Sequence, residues 1–241
     1  MNGFLMIKNL YYKAFSKIHL NASMKRIRYF EKKLHSPSAR FAIPFLFRGK
    51  GYYKKIEPRQ NSVEIEKLYK TVLDLTPKAV LEIGTARGGT LYLWAQAAAD
   101  DATIVSVDLP GGKFGGAYPS ERIPFYQSFA RDNQKLHLIR NDSHSTETLG
   151  QVQSCFANDY IDFAFIDGDH TYEGVKSDFS LYSPLVRKGG IIALHDILPR
   201  TDLPDIQVSQ FWEEIKGQYN FEEFVGSEGS GRKIGIGLIY I

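Results

Sequence analysis

Ala79-Val80-Leu81-Glu82-Ile83-Gly84-Thr85-Ala86-Arg87-Gly88-Gly89 decides the architecture of this chain. An apolar run interrupted only by Glu82 enters a glycine-rich turn, and an Ala-rich helical stretch follows to about residue 99. A short apolar run closed by glycines reads as a buried strand. The same rhythm then repeats. Strands are predicted at 103–107, 136–140, 161–166 and 191–194. Helices are predicted at 63–74, 125–131, 146–156, 172–186 and 207–217. Two last strands, at 221–225 and 234–240, flank a Gly/Ser-rich stretch, the pattern of a hairpin with a longer loop. Alternating strands and helices imply a mainly parallel sheet covered on both faces, and the hairpin adds an antiparallel strand. The expected fold is α/β and doubly wound, with a mainly parallel seven-stranded sheet and a C-terminal antiparallel hairpin.

The chain has 241 residues and is 43% hydrophobic, enough for one large domain with an appendage. No apolar run approaches the roughly 20 residues that span a bilayer. The N-terminus is basic without an apolar run and small-residue cleavage site, so it does not read as a secretory signal. The single cysteine, Cys155, excludes an internal disulfide and fits a reducing cytoplasm. It reads as a buried small hydrophobe. Residues 1–60 read as a basic, aromatic arm and residues 61–241 as a separate body. The arm holds fourteen Lys and Arg against Glu31 and Glu57, a net +12; the whole chain is +3, which leaves −9 for the body. The arm is expected to form one or two amphipathic helices, with 36–51 irregular because Pro37 and Pro44 interrupt it. Its charge and aromatics admit three roles. Packing on the body or on a second subunit of a homo-oligomer ranks first, because a positive arm complements an acidic body and aromatics need burial. Peripheral contact with an anionic membrane ranks second. RNA ranks last, because the chain has no recognised RNA-binding motif, so nucleic acid is not an expected partner.

Parallel sheets bind ligands outside the carboxyl ends of their strands. Asp108 ends the second strand, where an acid can accept both hydroxyls of a ribose. Asp142-Ser143 ends the third, where an acid or amide meets an adenine edge. The glycine spacing after the first strand is not that of dinucleotide sites, which counts against a pyrophosphate there. A lone strand-end Asp can simply cap the next helix, but three in order are harder to explain that way. Asp167-Gly168-Asp169-His170 ends the fourth strand and His195-Asp196 the fifth. Two carboxylates and two histidines at neighbouring strand ends suggest a metal and a proton acceptor in one pocket. Asp167 and Asp196 suit Mg²⁺, whereas His195 as a third ligand favours Zn²⁺, Fe²⁺ or Mn²⁺. His170, three residues after Asp167, is placed to act as general base. Asp169 reads as a cap for the helix beginning near Thr171, and Arg200 as a solvated surface arginine. The glycine-rich stretch 111–120 has the composition of a lid over the cofactor.

From about Val80 to Ile241 the chain resembles the class I S-adenosylmethionine-dependent methyltransferases, which are Rossmann-like, through Glu82-x-Gly84-x-x-x-Gly88-Gly89 and the terminal hairpin. The resemblance implies S-adenosylmethionine as cofactor. Glu82, Gly84, Thr85 and Gly88 would lie at its methionine part, Asp108 at the ribose, and Asp142 and Ser143 at the adenine, with Asp167 also bordering it. Asp167-Gly168-Asp169-His170, Tyr172-Glu173-Gly174-Val175, Lys188-Gly189-Gly190 and His195-Asp196 are similar to one branch, the macrolide-sugar O-methyltransferases and cephalosporin-hydroxylase-like proteins. That branch implies Asp167 and Asp196 as Mg²⁺ ligands and His170 as base. His195 stands where the branch has another acid, which leaves the third ligand open, along with a metal-independent version using His170 alone. The expected function is O-methylation of a hydroxyl on a small, sugar-containing acceptor. The alternative is an inactive Rossmann-like nucleoside-binding module attached to a membrane or partner by its arm. A nicotinamide-dependent oxidoreductase is disfavoured by the glycine spacing.

Overall fold

The computed structural model describes residues 11–112, 114, 118–131, 133–157, 159–226 and 233–241. The arm forms α1 (Ser16–Lys33), α2 (Pro37–Arg40) and α3 (Ile43–Leu46), and α4 (Ser62–Leu75) opens the body. The body continues as β1 (Ala79–Ile83), α5 (Gly89–Ala97), β2 (Thr103–Val107), α6 (Ile123–Gln127), β3 (Lys135–Ile139) and α7 (Thr146–Cys155). It ends with β4 (Ile161–Ile166), α8 (Tyr172–Tyr182), β5 (Val186–His195), α9 (Val208–Ile215), β6 (Asn220–Phe224) and β7 (Ile236–Tyr240). The seven strands form one sheet in the order β3-β2-β1-β4-β5-β7-β6. β1 to β5 are parallel, and β7 inserts antiparallel between β5 and β6. This is the expected architecture, with its strand order reversing between β1 and β4.

Alternate residues along each strand feed two cores. Val80, Ile104, Phe163 and Ala193 face α4, α5 and the arm. Leu81, Val105, Ala164 and Ile192 face α7, α8 and α9. This is the two-sided burial that makes parallel strands read as continuous apolar runs. β5 begins five residues earlier than the expected strand. Its first part pairs Val186 with Ile161 across a register shift, and Lys188-Gly189-Gly190 interrupts the apolar run there. The glycine-rich stretch 111–120 falls partly on 113 and 115–117, outside the described residues.

The arm departs from expectation in two ways. Residues 36–51 are not irregular throughout, because Pro37 and Pro44 sit in the first turns of α2 and α3, where a missing N–H costs nothing. Ser36 caps α2, its Oγ accepting from Ala39 N at 3.1 Å. The arm packs on the body through apolar burial, not opposite charge. Ile27, Ile43, Phe47, Tyr53 and Ile56 share one core with Leu68 and Trp94. Tyr69 OH donates to the Pro37 carbonyl at 2.7 Å, and Arg40 Nη1 donates to Gln96 Oε1 at 2.9 Å. Among the described residues, no ion pair joins residues 11–60 to the rest; Lys55 pairs with Glu57, within the arm. Cys155, expected to be buried, is half-buried. No helix of the described residues is long and apolar enough to cross a membrane.

Two buried acids pin distant segments. Glu64, wholly buried on α4, accepts from Gly226 N at 2.8 Å, Gly235 N at 3.0 Å and Ile234 N at 3.3 Å, tying down both ends of the β6–β7 connection. Asp178, wholly buried on α8, lies 3.3 Å from Nε2 of His144 in the turn before α7. Its hydrogen bond overcomes the opposing effect of burial and pushes the His144 imidazolium up to about 9. Glu64→Ala leaves three backbone donors without their acceptor, and stability by chemical denaturation should fall by on the order of 3 kcal/mol. Because the folded pKa of His144 lies above the ordinary value, its contribution is complete below about pH 6.5 and disappears as pH rises through 9. The stability difference between the wild type and His144→Gln should therefore be about 2 kcal/mol at pH 6, discounted for solvent exposure of the ring, and vanish near pH 10. A difference that stays flat with pH would show that the pair is not ionic.

Candidate active site

Hydrogen bonds that continue past the strands place the strand-end residues side by side. Gly84 N donates to the Val107 carbonyl at 2.8 Å, Asp108 N to Ile139 at 3.0 Å, and Asp167 N to Ile83 at 2.8 Å. Above these ends lies a cavity of about 240 Å³. It occupies the crevice beside β1 where the strand order reverses, the usual ligand position in open α/β sheets. Gly84, Asp108, Asp142, Ser143, Asp167 and His170 all line it.

The turn after β1 is held from below. Asp108 Oδ2 accepts from Ala86 N at 2.9 Å, while Ala86 takes a left-handed φ of 42°. Glu82, Thr85 and Gly88, expected at the cofactor, do not line the cavity. The Glu82 side chain is fully buried, with Oε1 accepting from Trp94 Nε1 at 3.1 Å and Oε2 from Ser106 Oγ at 2.6 Å. Burial pushes its carboxyl up to about 8 despite hydrogen bonds from Ser106 and Thr90. Thr85 Oγ1 lies 2.6 Å from Ser106 Oγ and extends the same network. Gly88 precedes α5 at φ 76°, under the Tyr126 ring. These residues therefore shape the turn from behind. Asp142 is exposed and borders the cavity, while its Oδ1 accepts from His144 N at 2.9 Å; it caps and lines at once.

Asp167, His170 and Asp196 each bring a ligand atom within 4.8 Å of the others. Asp196 adopts φ 63°, a strained conformation for a side chain other than glycine and one found at functional sites. The expected ligand set was Asp167, His195 and Asp196; the cluster that forms has His170 in place of His195. His195 Nδ1 instead bridges the two acids, 2.9 Å from Asp167 Oδ1 and 3.2 Å from Asp196 Oδ2. Burial alone would push its imidazole down, but the two carboxylates win and raise it to about 10. Asp196 is held below the ordinary carboxylate range: burial opposes this, but the His195, His170 and Arg200 charges overcome it. His170 Nδ1 is 3.2 Å from Asp196 Oδ2, and its ring meets Phe114 edge-on at 4.9 Å. Asp169 Oδ1 accepts from Thr171 N at 2.9 Å, and the Thr171 side chain itself caps α8.

Two contributors escaped the sequence reading. Gln60, buried at the end of the arm, donates from Nε2 to Asp167 Oδ2 at 2.6 Å, and its neighbour Arg59 lines the cavity. Arg200, expected to be solvated, has only 7% of its side chain exposed and donates to Asp196 Oδ1 at 3.1 Å. The i, i+4 spacing from Asp196 was the available signal for Arg200. For Gln60 the only signal was its place beside Asn61, which caps α4 through Val63 N at 2.9 Å.

The donor set suits a small divalent cation in kind: two carboxylates and one imidazole on three adjacent positions. A cation there would have to be held by Asp167, His170 and Asp196, with His195, Gln60 and Arg200 orienting the acids from behind.

The family described as "Methyltransferase domain" matches residues 81–197. An uncharacterized protein of Acanthamoeba polyphaga mimivirus is 56% identical over 127 residues, which is 48% of this chain and 50% of that protein. A Dictyostelium discoideum protein named "Probable caffeoyl-CoA O-methyltransferase 2" is 28% identical over 131 residues, 54% of this chain and 52% of its own length. The chain thus spans about half of these curated relatives. It spans 18% of a Sinorhizobium fredii protein to which it is 26% identical over 173 residues, 68% of this chain. Among solved structures, the O-methyltransferase of Bacillus cereus in complex with SAH superposes with a TM-score of 0.54 at 18% identity, covering 73% of this chain and 79% of that one. Cavity, strand order and family match coincide on the same strand ends: residues 81–197 match the methyltransferase-domain family, and the body shares the Rossmann-like fold of that O-methyltransferase.

Proposed function

We propose that this chain transfers a methyl group from S-adenosylmethionine to a hydroxyl of a small, sugar-containing acceptor, with a divalent metal at the reacting end. The observation that carries the reading is one cavity lined by two kinds of residue: Gly84, Asp108, Asp142 and Ser143 from the ends of β1 to β3, and Asp167 and His170 after β4. The first group offers the acid and polar edge that a nucleoside requires. The second offers a proton acceptor and a carboxylate in the same pocket, with the Asp196 carboxylate beside them. The sulfonium of S-adenosylmethionine supplies an electrophilic methyl group. A divalent cation, when bound, would hold the acceptor hydroxyl and lower its pKa.

The chain's own residues handle the proton. Asp196 beside His170 Nδ1 favours the tautomer protonated at that nitrogen and leaves Nε2 as the acceptor. His170 Nε2 takes the hydroxyl proton as the oxygen–methyl bond forms. Gln60 and His195 fix the two oxygens of Asp167, so that carboxylate cannot rotate. Phe114 packs on the His170 ring and limits its motion. The sugar-containing acceptor rests on the motifs at 167–175 and 188–196. The relatives named for caffeoyl-CoA supply the competing class, a phenolic hydroxyl.

Calorimetric titration should show S-adenosylmethionine and its demethylated product binding the wild type, with Asp108→Ala weakening both by about tenfold or more, the loss of a hydrogen bond to a charged group. No heat with either compound would sink the reading. A labelled-methyl screen of hydroxylated glycosides beside catechol-type phenols then decides the acceptor class. His170→Ala should lower turnover by about 10²-fold or more while leaving cofactor affinity near wild type. Titrating Mn²⁺ by electron paramagnetic resonance separates the two roles open to His170. Retained Mn²⁺ binding in His170→Ala makes His170 the base, whereas lost binding makes it a ligand. If Mn²⁺ does not bind the wild type, the metal falls and His170 acts alone.

A further inference from the structure

The outward face of α1 has no role in the fold. His19, Ser23 and Ile27 turn inward. On a separate face, about 120° around the helix, Ile18 is 63% exposed and Tyr29 57%, with Phe15 and Tyr11 in the preceding turns at 41% and 51%. At 100° per residue, positions 18, 22 and 29 fall on one stripe along α1, and Tyr11 and Phe15 precede it. Lys17, Lys25, Arg26, Arg28, Lys32 and Lys33 flank it, all exposed. None of these six makes an ion pair with a described residue. The chain has no acid before Glu31, and that carboxylate turns inward to accept from Tyr92 OH at 3.1 Å. Lys54 Nζ lies 5.7 Å from the Tyr12 ring and carries the cationic surface beyond the helix.

We propose that this face of α1 docks on an anionic lipid bilayer, with Phe15, Ile18 and Tyr29 entering the headgroup boundary and the flanking Lys and Arg pairing with lipid phosphates. The pattern excludes simpler occupants. An acidic protein surface, including the body of a second copy, would satisfy the cations but leave the apolar stripe against charge. RNA would meet the cations and make no use of Ile18. A bilayer interface takes both, because aromatics and cations are accommodated at headgroup depth. α1 would lie along the surface, in keeping with its being too polar to cross a membrane. Gln60 and Arg59 close the same arm at the cavity, so docking α1 anchors the segment that also forms a wall of the site.

The test is co-sedimentation of the full chain with phosphatidylcholine vesicles, with and without phosphatidylglycerol. The wild type should sediment with the anionic vesicles, be released by high salt, and stay in solution with the neutral ones. Each cation near the surface contributes about fivefold in partitioning, so Lys25→Glu with Arg28→Glu should lower binding by well over tenfold. Ile18→Asp should lower binding in low salt, where charge pairing alone would persist. All these residues are exposed, and circular dichroism with the calorimetric cofactor titration checks that each variant stays folded. Four outcomes overturn the proposal: no sedimentation of the wild type at low salt, equal sedimentation with neutral vesicles, Ile18→Asp indistinguishable from wild type, or Ile18→Asp instead abolishing self-association measured by sedimentation equilibrium. The cofactor titration is unaffected by any of them, so lipid docking and methyl transfer stand or fall separately.

Discussion

The Gly84 Cα passes so close to the carbonyl of Asp167 that a Cβ there would lie 2.0 Å from the carbonyl oxygen. With φ at 97°, the position admits little but glycine. This close approach joins the first turn of the sheet to the fourth, on the two strands between which the order reverses. Asp167 N completes the contact by donating to Ile83 at 2.8 Å. A larger residue at 84 would push the two turns apart and widen the crevice. The turn after β1 and the turn that carries Asp167 therefore share one rigid seam, and the distance between their backbones is fixed. This rigidity is what a transfer reaction requires, because a misplacement of about 1 Å between reacting groups is costly.

Behind that seam, each of the four oxygens of Asp167 and Asp196 already faces a protein donor: Gln60, His195 and Arg200, with His170 sharing one position. Two carboxylates are balanced by a buried imidazolium and a buried guanidinium. The site is thus close to neutral on its own side chains, which explains how two acids can sit in a largely buried place. It also explains why His195 is not in the ligand cluster. Its Nδ1 lies between the acids as a donor, and a donor cannot coordinate a cation with the same nitrogen. Of the two imidazoles, His170 is the one that lines the cavity and brings a nitrogen into the cluster with Asp167 and Asp196.

β1, β2 and β4 match the sequence reading to the residue because a strand buried on both faces is an uninterrupted apolar run. Strand-end acids were legible for the same reason: once the runs are placed, their last residues are placed too. What was not legible depends on distance along the chain. Gln60 reaches Asp167 across 107 residues, and nothing local to either marks the contact. That Glu82 does not line the cavity was not legible, because a strand-end motif gives no direction for a side chain one residue before the turn. Strand alternation points it away from Leu81 and Ile83, toward Trp94. Arg200 follows a reversal at Asp196, so its burial arises from tertiary packing that composition cannot foresee. In the arm, the prolines were read as breaks, though at a first helical position proline starts a helix as readily as it ends one.

The charge division between arm and body leads to a different conclusion once the contacts are known. A net +12 segment beside a −9 body suggests electrostatic docking. Yet the join is made by Ile27, Ile43, Phe47, Tyr53 and Ile56 and by neutral or singly charged hydrogen bonds, with no ion pair across it among the described residues. Apolar burial at roughly 25 cal/mol per Å² is sufficient for that join. The arm's cations are then surplus to folding, and they repel one another at close spacing along α1. A run of unpaired like charge persists at a cost to stability, and a flanking apolar stripe adds an aggregation hazard. Both costs disappear together against a surface that is anionic and apolar within the same few ångströms. Of the arm's two faces, one completes the core and the wall of the cavity, and the other contributes to neither, which is why the proposed lipid docking is sought there.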